Sequence, residues 1–510
     1  MPGPRRRVLI VNTYFPEVRE SIRVPQVPNA LAPVLLAGML SPTACDIRLY
    51  NEVSDGVLEV FAKDLLAWPD VVVFTGLTAA FDRMLQLSAY FRTLNPDVIT
   101  VAGGIAIRAL WNYSRRFFDY ACTGDAGQLR EVVREALGPE YVAEEPTPRY
   151  DLAHWMGRRI GYAESSRNCN FRCTFCSLTA TGLGYEALSL DELRRQLVAM
   201  GPRDVICFQD NQFYGSDRGF FLERMALLRE LRAAGHFRYW HAFVSDTFLW
   251  NDETLAAARD AGCFSIFVGV ESFDETWLRR VNKLQNLRHD RLALIQRCLD
   301  AGILFNYGLV YDSTERTLAQ MHGELASICD NPEIPAPNFI FGAVPFPGTP
   351  FFHDRHARGL LLPSTRVRDL EGSTLAMRPL DPVGDVARFL ATGKYLRGYR
   401  GRHLRRQLGF VWRNRRTLSP EQLLISNVAF LSVLTPGPVW HPTMFLRTRR
   451  RRTHVSTTDH LDPAYTPIRR VHSIYADYFR PTMVTDGAGE LNPALADDLL
   501  ATRYDRAATE

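Results

Sequence analysis

The sequence predicts an α/β protein with a doubly wound, Rossmann-like parallel sheet, then a full or partial TIM-like (β/α) barrel, then a mostly helical region. Residues 1–150 alternate short apolar runs with segments of helical periodicity, which is typical of doubly wound parallel sheets. Farther along the chain, Ala-Gly pairs at 234–235, 261–262 and 301–302 end three helical segments, and an apolar run follows each pair. We therefore expect domains at 1–150, 151–365 and 366–510.

The first domain carries candidate ligand-binding residues at the ends of its predicted strands. Four apolar runs predict these strands: Val8–Val11, Asp46–Tyr50, Val71–Phe74 and Val98–Ala102. Ligands of doubly wound sheets bind beyond the carboxyl ends of the strands, and glycine there lets the backbone approach a bulky ligand. The candidates at these ends are Asn12, Thr75, Leu77, Gly103 and Gly104. Simple tight connections from strand to helix would also explain these residues.

Polar side chains also follow the strands of the predicted barrel. In barrels of this kind the functional residues lie at the carboxyl ends of the strands, where one mouth collects them. The candidates at this mouth are Gln209, Asp210, Ser245, Glu271 and Ser272. For Asp210 the alternative is a helix cap.

Cys169, Cys173 and Cys176 place three thiols in one short loop with gaps of three and two residues. Iron-sulfur clusters usually take four cysteines, so a set of three indicates a cluster with one iron open to another ligand. A zinc site would need a fourth ligand, and no second cysteine pair exists. A redox pair of Cys173 and Cys176 would leave Cys169 unexplained.

Composition indicates a multidomain protein of ordinary globular character. The chain has 510 residues, 46% of them hydrophobic and 23% charged, with a net charge of +4. Its nine cysteines, most of them isolated, do not form a disulfide framework pattern, which indicates a reducing compartment. The first apolar run is too short for a secretion signal, and no run is long enough to span a membrane. We expect a cytoplasmic protein.

Several segments together resemble the radical S-adenosylmethionine (radical SAM) superfamily. They are the Cys-x3-Cys-x2-Cys loop with Phe175 before its last cysteine, and residues 208–211, 268–272 and 345–350. The resemblance implies that Cys169, Cys173 and Cys176 hold a [4Fe-4S] cluster whose fourth iron is chelated by SAM. It also implies that Gln209 and Asp210 bind the SAM amino group, that Glu271 and Ser272 bind the ribose, and that Ser245 lies in the same cofactor site.

The sheet domain before the barrel resembles the branch of this superfamily with an N-terminal cobalamin-binding domain. Thr75, Leu77, Gly103 and Gly104 are similar to the part of the family pattern that packs around the cobalamin nucleotide, and residues 123–127 resemble a later turn. Residues 1–150 contain no histidine, so cobalamin would bind without a protein imidazole ligand. A sheet domain that binds nothing is the alternative.

The resemblance implies reductive cleavage of SAM to a 5′-deoxyadenosyl radical, used for cobalamin-dependent C-methylation of an unactivated carbon in a secondary metabolite or lipid. Radical cyclisation or rearrangement without net methyl transfer is one alternative. A non-catalytic iron-sulfur binding or electron-transfer protein is another. The implied partners are a small-molecule or lipid substrate and an external one-electron reductant of the flavodoxin or ferredoxin type, without nucleic acid.

The C-terminal region is strongly basic. Residues 394–452 contain fourteen Lys or Arg against one acid, Glu421, and residues 423–446 carry no charge. An apolar segment next to a polybasic segment predicts weak peripheral membrane contact through residues 423–452. The alternative is a buried helix that ends near residue 436, followed by a solvated basic loop.

Overall fold

A computed structural model describes residues 5–14, 30–56, 58–363, 365–372, 374–392, 399–434, 482–485 and 490–501 of the chain. The strands in these ranges are β1 Arg6–Asn12, β2 Cys45–Asn51, β3 Val71–Thr75, β4 Ile99–Ala102, β5 Tyr120–Ala121, β6 Ile160–Ala163, β7 Ser166–Arg167, β8 Glu186–Ala187, β9 Arg203–Phe208, β10 Phe237–Val244, β11 Cys263–Glu271, β12 Leu304–Tyr311 and β13 Phe339–Gly342. The α-helices are α1 Ala32–Gly38, α2 Glu52–Asp55, α3 Leu58–Phe61, α4 Phe81–Leu94, α5 Ile105–Ala109, α6 Trp111–Ser114, α7 Gln128–Ala136, α8 Leu190–Met200, α9 Arg218–Ala233, α10 Asp252–Asp260, α11 Glu275–Arg280, α12 Arg291–Asp300, α13 Leu318–Asp330, α14 Pro350–Ala357, α15 Val383–Thr392, α16 Arg400–Asn414, α17 Pro420–Leu434 and α18 Ala496–Leu500.

The first five strands form one parallel sheet in the order β2-β1-β3-β4-β5. This is the flavodoxin-like order among doubly wound sheets. Alternate residues of β1 enter two separate cores: Val8 and Ile10 pack on one face of the sheet, and Leu9 and Val11 on the other. Because both faces are covered, the central strands are continuous apolar runs rather than alternating ones. The predicted doubly wound domain is confirmed.

The second sheet has six parallel strands in the order β13-β12-β11-β10-β9-β6. Its first and last strands are edges, so the predicted barrel is confirmed in its partial form. Gly235, Gly262 and Gly302 follow the helices that precede β10, β11 and β12, with φ angles of 82°, 95° and 73°. The left-handed backbone at these positions favours glycine and turns the chain directly into the next strand.

The C-terminal helices pack against the barrel from two sides. On α16, Arg402 Nε lies 2.6 Å from Asp330 Oδ1 at the end of α13. On α17, Gln422 Nε2 donates to the carbonyl oxygens of Phe264 and Gly302 at 2.7 and 2.9 Å. Those carbonyls lie where β11 and β12 begin, so α17 covers the amino-terminal end of the barrel.

The apolar and basic segment at residues 423–452 lies mostly outside the described residues, which end at 434 in this part of the chain. Across the described ranges, no helix combines the length and apolar character needed to cross a membrane.

Candidate cofactor site

The cluster loop follows the short strand β7 and begins with a strained residue. Asn168 has φ 57° without being glycine, and its Nδ2 donates to Asp125 Oδ2 at 3.3 Å. Cys169 comes next. Two hydrogen bonds fix the backbone of the loop: Thr174 N donates to Val281 O at 3.0 Å, and Thr179 Oγ1 donates to Cys173 O at 2.8 Å. The three thiols therefore lie in a loop whose backbone is fixed by neighbouring elements.

The chemistry of the three thiols fits a cluster. Burial raises the pKa of Cys169 and raises that of Cys176 to about 12, so coordination by a metal is what would make them thiolates at neutral pH. Within the described ranges, no three His, Cys, Asp or Glu side chains are grouped as ligands of a single ion. A cluster binds each thiolate to a different iron, so its ligands do not need to meet at one point.

Asp210 lies at the end of β9, as predicted, but it is 1% exposed. Its Oδ1 accepts from Ser165 Oγ at 2.7 Å and from Ser166 Oγ at 2.6 Å, and Ser165 N donates to both carboxylate oxygens. The carboxylate thus holds the segment that leads into the cluster loop. Gln209, one residue earlier, is half-buried, and its backbone N–H donates to Ala163 O.

Glu271 ends β11 with φ 63°, and Lys283 Nζ lies 2.8 Å from its Oε1. A Cβ at Gly269 would lie 2.5 Å from that Oε1 and 2.9 Å from that Nζ, so glycine leaves the space that the ion pair fills. Burial opposes the charge on Lys283, but the neighbouring carboxylate outweighs this effect and raises its pKa. The structure therefore places a Glu271–Lys283 ion pair beside the cluster loop.

Ser272 and Ser245 are engaged by protein groups. Ser272 Oγ donates to Glu324 Oε1 and accepts from Arg316 Nη1, each at 3.0 Å. Ser245 Oγ accepts from Gln212 Nε2 at 2.5 Å. Both serines lie at strand ends around the mouth, and in this arrangement their hydroxyls order the surrounding loops.

Residues 281–286 form a segment that connects the cluster loop to the end of β11. The sequence did not predict a role for this segment. Asn282 Nδ2 donates to Arg172 O at 2.8 Å, and Gln285 Nε2 lies 3.7 Å from Cys173 Sγ. Asn286 Nδ2 donates to Gly269 O and Val270 O at 2.9 and 3.1 Å. The polar run Asn-Lys-Leu-Gln-Asn after a short helix is the only local signal it carries.

The candidates of the first domain gather at one edge of its sheet. Asn12 Nδ2 donates to Asn51 Oδ1 at 2.8 Å, and Thr75 O accepts from Thr13 N at 2.8 Å. Gly103 N donates to Phe74 O, while Gly104 has φ 114°. Leu77 projects into solvent and is 73% exposed. Two glycines and an exposed leucine therefore lie at this edge.

The mouths of the two sheets lie next to each other. Asp125, in the loop after β5, bonds to Asn168 and forms an ion pair with Arg108 at 3.2 Å. A small cavity nearby is lined by Thr78 and Ala106 of the first domain and by Ser177 and Thr181 just after the cluster loop. The carboxyl end of the first sheet therefore abuts the cluster loop of the second.

Comparison with known proteins agrees with this geometry. Residues 164–324 match the family model described as the Radical SAM superfamily. That range includes the three cysteines, Asp210, Ser245 and the Glu271–Lys283 pair. The match confirms the resemblance of this part of the chain to the radical SAM superfamily, and it implies a [4Fe-4S] cluster and SAM. Members of this superfamily generally take electrons from an external reductant and act on small molecules.

Among individual proteins, the chain is similar to an uncharacterized methyltransferase of Synechocystis sp. (23% identical over 350 residues, 63% of this chain and 62% of that protein). It is also similar to the hopanoid C-2 methylase of Rhodopseudomonas palustris (24% over 299 residues, 54% of this chain and 55% of that protein). The chain thus spans less than two thirds of the length of either relative. Its fold is similar to that of apo OxsB, a cobalamin-dependent SAM radical enzyme, with a TM-score of 0.58 and 14% identity over 99% of this chain and 83% of that one.

Proposed function

We propose that this protein cleaves SAM reductively at the cluster and uses cobalamin to methylate an unactivated carbon. The observation that carries the proposal is the Asn168–Asp125 contact, because it brings the cluster loop against the carboxyl edge of the first sheet. A ligand on that edge and SAM in the barrel mouth would face one space. Similarity to methyltransferases, and a fold like that of a cobalamin-dependent radical enzyme, support this choice.

The residues of the mouth divide into three groups under this proposal. Cys169, Cys173 and Cys176 would hold the cluster, which supplies the electron for SAM cleavage when it is bound. Gln209 and Glu271 are the groups we assign to direct contact with SAM. Asp210, Ser245 and Ser272 would act as positioning residues, because their polar atoms already bind the surrounding loops.

Cobalamin would bind at the carboxyl edge of the first sheet, at Asn12, Thr75, Leu77, Gly103 and Gly104. A Cβ at Gly104 would come within 3.0 Å of Gly76 O, so glycine keeps the two loops of this edge close together. The absence of histidine from residues 1–150 means that no imidazole from this domain would coordinate the cobalt.

The inner face of the barrel supports an apolar substrate, such as a lipid or an uncharged metabolite. Four phenylalanines of β10, β11 and β13 form an aromatic row there, with ring centroids 4.5–5.5 Å apart: Phe243, Phe267, Phe339 and Phe341. Gly308 makes this row continuous, because a Cβ there would lie 2.4 Å from the Phe339 ring. Exposed aromatic surface inside a concave site is typical of pockets for apolar ligands.

We further propose a flavodoxin or ferredoxin type reductant, a cytoplasmic location and weak membrane contact through residues 423–452. All nine cysteines are free thiols, which supports a reducing compartment.

The test is anaerobic reconstitution of the whole protein with iron, sulfide and hydroxocobalamin, followed by measurement of bound corrinoid and cluster iron. Incubation with SAM and a reductant should give 5′-deoxyadenosine, and Cys173→Ala should abolish it. Near-stoichiometric corrinoid, with S-adenosylhomocysteine formed alongside, is the expected result. A loaded cluster without corrinoid would favour cyclisation or rearrangement instead. A protein with an intact cluster that yields no 5′-deoxyadenosine would contradict the proposal that it is an enzyme.

A further inference from the structure

Helix α16 exposes apolar side chains and buries polar ones, the reverse of an ordinary surface helix. Leu404, Leu408 and Trp412 recur every four residues and are 49%, 63% and 67% exposed. The opposite face is buried and contains four polar or charged residues: His403, Arg406, Gln407 and Asn414. Single exposed leucines need no explanation, but a helical row of three large apolar side chains does.

Helix α17 adds to this apolar surface. Gln407 Nε2 on α16 donates to Asn427 Oδ1 at 2.9 Å, so the two helices lie side by side. In the first turns of α17, Leu424 and Ile425 are 65% and 47% exposed. The apolar stripe is defined by Leu404, Leu408, Trp412, Leu424 and Ile425.

Positive charge surrounds the stripe. Arg402 and Arg413 are paired with Asp330 and Glu333. Arg405, Arg415 and Arg416 are exposed and, within the described ranges, form no salt bridge with an acidic side chain. The Arg415 guanidinium carbon lies 3.6 Å from the centroid of the Trp412 ring. In the part of the chain that the structure describes, apolar groups and arginines without an acidic partner thus share one surface.

We infer that the apolar stripe and its three arginines bind the surface of an anionic lipid bilayer. Leucine and tryptophan enter the boundary between headgroups and acyl chains, while arginine stems lie along the apolar surface and keep their charges among the headgroups. A nucleic acid would pair with the arginines but would leave the leucines in water. This binding is independent of SAM chemistry, and it adds α16 to the membrane contact proposed for 423–452, of which residues 435–452 lie outside the described ranges.

The experiment is co-sedimentation of the full-length protein with vesicles of phosphatidylcholine alone or with 30% phosphatidylglycerol added. We expect binding to the anionic vesicles, little binding to neutral ones, and weaker binding as salt rises, because screening shortens the reach of the arginine charges. Leu408→Glu with Trp412→Glu should weaken binding roughly tenfold or more. Arg405→Gln with Arg416→Gln should weaken it several-fold.

Val60→Glu is the matched control, because Val60 is 66% exposed on α3 of the first domain, and it should bind as the unaltered protein does. All altered side chains are exposed, and circular dichroism and cluster iron content report whether each variant folds. The inference fails if the unaltered protein does not bind anionic vesicles, or if Leu408→Glu with Trp412→Glu binds normally. It also fails if that variant changes only the oligomeric state, because the stripe would then contact a second copy. Formation of 5′-deoxyadenosine without vesicles tests the proposed enzyme separately.

Discussion

At the scale of single residues, the Gln285 side chain is the group that most directly influences the proposed cluster. Its Nε2 lies 3.7 Å from Cys173 Sγ, and hydrogen bonds to cluster sulfurs favour the reduced, more negative state. We predict that Gln285→Leu keeps the cluster but lowers its midpoint potential by on the order of 40 mV, the equivalent of about 1 kcal/mol for one electron. Redox titration followed by electron paramagnetic resonance measures this shift. An unchanged potential at full iron content would show that the contact has no electrostatic effect.

The residue His403 makes stability depend on pH. It is completely buried, Arg406 Nε donates to its Nδ1 at 3.2 Å, and burial lowers its pKa to about 3. Unfolding frees the imidazole to bind a proton below about pH 6.5, so its contribution to the free energy of unfolding is lost as pH falls through this range. The loss approaches about 1.4 kcal/mol per pH unit.

Unfolding in urea at pH 7.5, 6.5 and 5.5 measures this dependence. His403→Gln keeps an acceptor for Arg406 but cannot be protonated, so its stability should fall less between the last two pH values. If the free energy of unfolding falls equally with pH in the unaltered protein and in His403→Gln, groups other than His403 cause the acid sensitivity.

At the scale of elements, the buried Gln422 side chain attaches α17 to the barrel. Gln422 donates to two carbonyl oxygens that precede or begin neighbouring strands. We predict that Gln422→Ala lowers the free energy of unfolding by about 2 to 3 kcal/mol, because two buried acceptors lose their donor. Chemical denaturation measures the change, and Glu421→Ala is the control, since Glu421 is an exposed residue whose ion pair with Arg238 is worth little. Equal losses in both variants would contradict the assigned role of Gln422.

Element positions also show what sequence periodicity can predict. The sequence predicted β1 to β4 of the first sheet and β10, β11 and β12 of the second, because each is a short apolar run between turn signals. It did not predict β5, which is only two residues long. The end of the barrel covered by α17 could not be predicted, because the acceptors that fix it belong to Phe264 and Gly302, more than a hundred residues away.

At the scale of the whole molecule, Asp498 ties the C-terminal helix α18 to the first domain. Its carboxylate accepts from Asn112 N, Asn112 Nδ2 and Tyr113 N at 2.8–3.1 Å. We predict that Asp498→Ala destabilises the protein by about 2 to 4 kcal/mol, since three donors on α6 lose a buried acceptor. Hydrogen exchange should rise at residues 111–114 and remain unchanged in the barrel. If the amides of α6 remain equally protected from hydrogen exchange, the contact with α18 does not order α6.

The sequence by itself determined the class of chemistry and the sides of the sheets on which it occurs. The covalent chain keeps Cys169, Cys173 and Cys176 within one short loop. Residues that follow parallel strands collect at the carboxyl edge of the sheet, whatever the packing is. Tertiary structure alone decided which of these residues are held by other protein groups. It buried Asp210 against the serines before the cluster loop, brought Gln285 and Lys283 to that loop, and set Asp125 against Asn168. Those neighbours lie far apart along the chain, and long-range packing has no periodicity from which a single sequence could predict it.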